Sequence, residues 1–352
     1  MLAFDNRFSK FKYLLISITL FLIALSNPFL TSCTGQIADE SNEPYELESV
    51  VPDESYDHEV ITPVENILVA VGDVMLSRGV GEIINATGDA RSPFLKTVEI
   101  LAQADITFCN LESPFYYGEP LNGDRLVFGA DPETIEGLTY AGFDIVSLAN
   151  NHFGNQGVVG MSFTFLHLNE HGIEYVGAGE NEAKAREPTI IERNGVKFAF
   201  LAYNDVKEAI RKGYAATSDK PGFAVLTRSS LMQDIEYAKE KAQVVVVSIH
   251  WGVEYETTPT ERQTTYAHLA IDSGASLVLG HHPHVIQPVE KYKDGYIFYS
   301  LGNFVFDQMW SEATRIGLIA KIFFEGDQIE RVETTEVTIY DSHQPAVSDD
   351  DL

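Results

Sequence analysis

The stretch Leu277-Val278-Leu279-Gly280-His281-His282-Pro283-His284 runs an apolar segment straight into three histidines. Leu277, Val278 and Leu279 read as the end of a buried strand, and open α/β sheets bind ligands just past the carboxyl ends of such strands. His282 and His284 are two apart, so in extended backbone both project to one side and reach a single ion. By itself the His-x-His pair is a weak signal, because a polar surface loop has the same composition.

The same ending recurs at other apolar runs. Residues 67–71 end in Gly72-Asp73-Val74-Met75, 106–109 in Asn110-Leu111-Glu112, 145–148 in Ala149-Asn150-Asn151-His152, and 244–249 in His250-Trp251-Gly252. Five strands thus deliver a metal-capable side chain at the same end. Imidazoles, carboxylates and an amide oxygen suit a borderline or hard divalent cation, and Asp73, Glu112, Asn151, His250, His282 and His284 supply all three types. So many ligands suffice for two ions, bridged by Asp73 or Glu112, with His152 free to stabilise or protonate a leaving group.

Between these endings the chain alternates. Helices are expected over 95–104, 132–141 and 158–170, the last closed by Gly172, giving a β-α-β-α-β rhythm. The middle changes pattern: 189–192 and 196–202 are β-rich around Arg193-Asn194-Gly195, a hairpin turn. Helices over 231–242 and 262–271 and strands over 296–299 and 316–324 follow, with Lys293-Asp294-Gly295 as another turn. Parallel-type units first and hairpins later imply two packed sheets flanked by helices.

The 352 residues carry a net charge of −28 and a pI near 4.6, which argues against nucleic acid, since no excess of Lys and Arg is present to displace phosphate counterions. An acidic substrate needs a bound cation or a local arginine to offset this field. Arg7, Lys10 and Lys12 precede an apolar run over 13–25, too short to span a bilayer comfortably, so 1–32 reads as an export signal. Leu30-Thr31-Ser32-Cys33 resembles a bacterial lipobox with Cys33 as the lipidated residue; an uncleaved anchor or an ordinary secretory signal are the alternatives. Residues 33–65, rich in Asp, Glu, Ser and Pro, read as a disordered acidic tether, 66–341 as the folded domain, and 342–352 as a loose acidic tail. With only Cys33 and Cys109 present, no disulfide framework is expected.

Gly72-Asp73, Asn110-Leu111-Glu112, Ala149-Asn150-Asn151-His152, His250-Trp251-Gly252, Gly280-His281-His282-Pro283-His284 and Ser300-Leu301-Gly302-Asn303-Phe304 together resemble the successive motifs of the CapA family of poly-γ-glutamate capsule synthesis proteins. That family is similar to calcineurin-like metallophosphoesterases. The resemblance, over about residues 66–306, implies a four-layer α/β/β/α sandwich of metallophosphoesterase type and capsule polymer synthase or export subunits as partners, while the export signal places the domain on the extracytoplasmic face of the membrane. It also implies a divalent metal centre of one or two ions (Mn, Zn, Fe or Mg). Asp73 matches the first metallophosphoesterase Asp, Glu112 a bridging Asp, Asn151 with His152 the Asn-His pair, His250 the lone histidine, and His282 with His284 the closing pair. His152 and Asp73 are then the catalytic candidates. Met75 stands where the Asp-x-His motif has its histidine, so one metal site loses a ligand, leaving either a single ion or a weakly held second one. Asn155 stands where these relatives often have Asp.

Other residues are weighed individually. Arg78 is a candidate for binding a carboxylate or phosphate, or is a solvated arginine. Asn303 lines the pocket or makes a turn. Glu254 and Tyr255 read as an exposed acid and a packed ring as readily as substrate contacts. His167 and His171, four apart on the 158–170 helix, read as surface residues. Two functions fit: a metal-dependent hydrolase of a phosphoester or γ-glutamyl amide, or a non-catalytic subunit that grips a polyanion through the cation.

Overall fold

The computed structural model describes residues 65–118 and 126–347. The expected export signal, Cys33, the acidic tether and residues 348–352 lie outside them. Among the described residues no helix is long and apolar enough to cross a membrane.

β1 (Glu65–Val74), β2 (Ile106–Leu111), β3 (Ile145–Ser147) and β4 (Glu174–Val176) lie parallel and side by side. β5 (Ala178–Gly179) leaves this sheet, and β6 (Thr189–Arg193) and β7 (Val196–Asn204) form the expected hairpin. Asn194 and Gly195 both take positive φ, 49° and 79°, which is the demand of a tight two-residue turn. β8 (Gly222–Phe223) pairs with β5, while β9 (Val244–His250) and β10 (Leu277–His281) run parallel to β7. β11 (Val289–Tyr292) and β12 (Gly295–Phe298) close this second sheet, in the order β11-β12-β10-β9-β7-β6. β13 (Asn303–Val305) returns to β1, and β14 (Ile316–Glu325), β15 (Gln328–Tyr340) and β16 (Gln344–Val347) extend the first sheet antiparallel, in the order β16-β15-β14-β1-β2-β3-β4. Within the stretch expected as a loose tail over 342–352, residues 344–347 are instead an edge strand with Pro345 and Ala346 buried.

Alternation along the strands builds the layers. Leu68 and Ala70 of β1 point inward with Phe108 to meet Phe200, Val244, Val246, Leu277 and Leu279 of the second sheet. The Phe108 and Phe200 rings stack across this interior at 5.9 Å, an arrangement worth about 1 kcal/mol beyond burial. Val69, Val71 and Cys109 point outward under helices α1 (Arg78–Thr87), α2 (Val98–Leu101), α3 (Ile135–Ala141) and α4 (Gly157–Glu170). Single turns at α5 (Glu182–Ala185) and α6 (Lys207–Arg211) lead to α7 (Arg228–Lys239) and α8 (Glu261–Ser273), which cover Val245, Val247 and Val278 of the second sheet. Helices, sheet, sheet and helices make four layers. β9 and β10 are buried on both faces, which is why they read as continuous apolar runs.

Local chemistry sets the boundaries. α8 begins at a reciprocal cap: Gln263 N donates to Thr260 Oγ1 at 3.2 Å and Thr260 N donates to Gln263 Oε1 at 2.8 Å. Gly274, at φ 109°, ends it. The helix expected over 95–104 is instead a 3-10 turn at Ser92–Phe94 followed by the four-residue α2. Pro93 sets the first turn, and Thr97, in a non-helical conformation, separates the two.

Candidate metal centre

Strand register assembles the site before any side-chain detail. Asp73 pairs across the first sheet with Asn303 on one side and Asn110 on the other, and Asn110 pairs with Ser147. In the second sheet His250 pairs with Asn204 and His281. Both polar rows lie at the carboxyl ends of parallel strands. Close backbone approach fixes them: a Cβ on Gly72 would lie 2.0 Å from Gly302 O, and one on Gly280 2.0 Å from Tyr299 O.

Asp73 is fully buried and takes Asn110 Nδ2 at 2.8 Å and, more weakly, the backbone N–H of His282 at 3.3 Å. His281 Nδ1 and His284 Nδ1 each stand 3.3 Å from its oxygens. Burial alone would raise its pKa, but these two imidazoles hold the carboxyl well below the usual range. Glu112 is also fully buried, and its Oε2 has no hydrogen-bond partner. Burial, and then the Asp73 charge, push its pKa up to about 8. His250 Nε2 lies 2.7 Å from Asn151 Oδ1 and 3.6 Å from Glu112 Oε1. Burial pushes the His250 imidazole well down, with His282 adding to the effect.

His282 and His284 both line the cleft, with ring centroids 6.1 Å apart. They do so by a different route from strand alternation: φ is 97° at His282 and 58° at His284, so left-handed turns, not extended backbone, aim them. His282 is pushed down to about 3 by burial and by His284, and its Nδ1 has no partner. Burial lowers His284 too, but the Glu112 charge and the Asp73 contacts outweigh it and bring the ring up to about 9. Two sets, Asp73 with Glu112 and His284, and Glu254 with His282 and His284, each bring their ligand atoms within 4.8 Å of one another.

These residues fit a divalent cation. Buried Glu112 Oε2 and His282 Nδ1 are polar atoms left without partners, and the donor set mixes carboxylate, imidazole and amide oxygen. Met75 adds nothing to it. Its sulfur accepts from Ser77 N at 3.2 Å and Ser77 Oγ at 3.1 Å inside the outer core.

Above this floor lies a cleft of about 530 Å³ with His152, Arg78, Glu254, Tyr255 and Lys212 in its walls. The His152 ring stacks on Phe128 at 3.7 Å, and Asn155 Oδ1, which accepts from Phe128 N at 2.8 Å, lies 3.0 Å from His152 Nδ1. That amide oxygen places the ring proton on Nδ1. Burial pushes the His152 imidazole down to about 3, which favours the neutral ring. Arg78 pairs with Asp307 and lies over the Phe128 ring at 4.7 Å.

Asn303 does not line the cleft. It is fully buried; its Nδ2 donates to His284 O, Gln308 Oε1 and Thr314 O, and its Oδ1 lies 2.9 Å from His284 Nδ1. Its work is to orient His284. His167 is no surface residue either: its ring packs between Phe115 and Phe163, its Nε2 donates to Pro132 O at 2.9 Å, and His171 Nδ1 donates to His167 O. Tyr255 is 44 % exposed rather than packed. The sequence reading gives no role to Asn110 and His281, and weighs Glu254 only as an exposed acid or a substrate contact; the structure brings all three to the site. Asn110 and His281 stand inside the quoted strand ends and are legible there; Glu254 depends on the path of a loop.

A four-layer α/β/β/α sandwich whose parallel strands end in carboxylate, amide and imidazole donors is a protein with a centre able to hold a divalent metal. The chain belongs to the family described as bacterial capsule synthesis protein PGA_cap, whose model matches residues 67–308. It is 36 % identical over 285 residues to the capsule biosynthesis protein CapA of Bacillus anthracis, covering 77 % of this chain and 66 % of that one. It is 34 % identical to the PGA biosynthesis protein CapA of Bacillus subtilis (strain 168), covering 80 % and 74 %. The matched part thus spans about two thirds to three quarters of these relatives. Among solved structures, a hypothetical protein from Thermus thermophilus superposes with a TM-score of 0.50 at 17 % identity, covering 77 % of this chain and 98 % of that one, a likeness of fold. The calcineurin-like phosphoesterase YfkN from Bacillus subtilis gives 0.49 at 14 % identity, covering 80 % and 93 %.

Proposed function

We propose that this chain is an extracytoplasmic, lipid-anchored protein of poly-γ-glutamate capsule synthesis or export, working beside a polymer synthase or export subunit. We further propose that its cleft is a metal-dependent hydrolytic centre for a phosphoester or a γ-glutamyl amide. One observation carries the second part: donors from strands of both sheets converge on the floor of one cleft whose walls hold Arg78 and Lys212. The names of the Bacillus relatives support the capsule role, and the lipobox at Cys33 supports the anchor.

Asp73, Glu112, Asn151, His250, His282 and His284 would hold one or two ions. When bound, a divalent cation such as Mn, Zn, Fe or Mg supplies Lewis acidity and lowers the pKa of water. The remaining residues bind and orient. Arg78, braced by Asp307 and the aromatic rings, presents a guanidinium to a phosphate or carboxylate. His152, with its proton fixed on Nδ1 by Asn155, keeps the Nε2 lone pair to accept a proton from the attacking group.

The test is metal content of the chelator-free protein beside a His282→Ala/His284→Ala double variant, followed by assays with phosphoesters and γ-glutamyl chains. About one or two ions per chain, lost in the variant, is the expected result. A folded protein that takes up no ion from added Mn²⁺ or Zn²⁺ would falsify the metal centre. Met75 and the neutral His152 favour a second reading, a polyanion-binding subunit without turnover. Metal-dependent polymer binding with no hydrolysis of any substrate would select it, whereas turnover abolished by His152→Ala with polymer binding intact would select the enzyme.

A further inference from the structure

Glu254 follows His250-Trp251-Gly252 in the loop after β9. Trp251, fully buried and donating Nε1 to Tyr299 O at 3.0 Å, anchors the start of that loop, and Tyr255 N donates to Pro283 O at 2.8 Å, tying its far side to the histidine turn. The result places a carboxylate oxygen of an exposed residue within 4.8 Å of one nitrogen each from the buried His282 and His284.

Two further observations point to a cation at that spot. His282 is 5 % exposed, lines the cleft, and has a buried Nδ1 that meets no donor or acceptor. An orphaned ring nitrogen in such a place costs stability unless a ligand satisfies it. His284 is oriented from behind: the Asn303 amide nitrogen is committed to three acceptors, so its oxygen is what faces Nδ1, and the ring proton sits there. The lone pair is then on Nε2, the arrangement by which outer partners prepare a ligating histidine. Met75, meanwhile, keeps its sulfur on Ser77 in the core, so the position two after Asp73 sends no donor to the cleft.

We propose that Glu254 is a metal ligand which, with His282 and His284, forms a site for a borderline divalent cation and supplies from the β9 loop the donor that Met75 does not supply from β1. A carboxylate with two imidazoles is a sufficient protein set for such an ion, with positions left for water or an anionic substrate. The inference rests on the metal-centre reading above.

The experiment titrates Mn²⁺ alone into the chelator-stripped full chain, wild type beside Glu254→Gln and Glu254→Asp, with binding read by calorimetry and by the loss of the free-ion EPR signal. Glu254→Gln is expected to weaken one ion by roughly tenfold or more or to remove it from the stoichiometry, and Glu254→Asp to recover part of the loss. The apo proteins are expected to melt together, because an exposed side chain is changed. Wild type that binds while Glu254→Gln binds identically overturns the role of Glu254 and leaves the metal centre standing. An apo Glu254→Gln that melts well below wild type overturns it in favour of a structural role. Wild type that binds no Mn²⁺ overturns both.

Discussion

Asn303 shows how much of the centre is built by side chains that touch neither ion nor substrate. All of its amide hydrogen-bonding capacity is spent on His284, Gln308 and Thr314. Asn303→Leu is expected to cost about 1–3 kcal/mol in denaturant unfolding, because buried carbonyl groups lose their donor. Metal affinity should also fall about 10–100-fold, because the His284 ring loses its orientation. Unchanged affinity would mean that the Asp73 contact alone aims the ring. Protons define the second prediction at this scale. Glu112 and His284 stand at about 8 and about 9, raised from ordinary values of 4.5 and 6.5. Their contributions to apo stability are complete below pH 4.5 and 6.5 respectively and are lost as pH rises through 8 and 9. His152 and His282, lowered from 6.5 to about 3, contribute stability that is present above pH 6.5 and lost as pH falls through 3. Apo thermal stability should therefore peak at about pH 6–7. Ion binding needs Glu112 and His284 deprotonated, so Mn²⁺ affinity should climb from pH 6 to 9 with about two protons released at pH 7, measured by calorimetry in buffers of different ionisation enthalpy. Release of a single proton would remove one of these two residues from the ligand set, and a flat profile would remove both.

At the scale of elements, glycine sets how closely β10 approaches the chain after β12. Gly280→Ala puts a Cβ 2.0 Å from Tyr299 O, and backbone cannot yield as a side-chain tip does. A loss of about 3 kcal/mol is expected from the urea midpoint, together with weaker metal binding, since His281 and His282 follow directly. The same elements decide what the sequence discloses. β1, β2, β9 and β10 are buried along nearly their whole length, so they stand out as apolar runs, and the donor that ends each one is legible from its position. β15, a long strand with its outer positions exposed, is written in Glu, Thr and Arg and gives no such signal. α1 is equally hidden: its buried positions are only Val80, Gly81 and Ile84, on a helix without a side-chain cap. The geometry of His282 and His284 is legible in outcome but not in cause, because left-handed φ at a non-glycine residue is imposed by surrounding structure. Glu254 is visible as an acid just after His250-Trp251-Gly252, but its partners are not, since they lie across a loop that no periodicity describes.

For the whole molecule, a net charge of −28 sets the terms on which an anionic polymer, the proposed ligand, would reach the cleft. At low salt the chain repels a polyglutamate from a distance, while Arg78, Lys212 and a bound cation act only within a few ångströms of the site. The Debye length falls from about 30 Å at 0.01 M salt to about 8 Å at 0.15 M, so added salt screens the long-range repulsion before it reaches the short contacts. Association with poly-γ-glutamate should therefore quicken as salt rises over this range, opposite to a binding site dominated by surface lysines, whose affinity falls with salt. Stopped-flow rates at several salt concentrations, with the divalent ion held saturating, read the slope directly. A rate that falls with salt would show that local positive charge outweighs the global field, and the cleft would then act as an electrostatic funnel for the polymer. A rising rate places the selectivity in the bound ion and the braced Arg78, which can tell a carboxylate or phosphate from other anions only at contact distance.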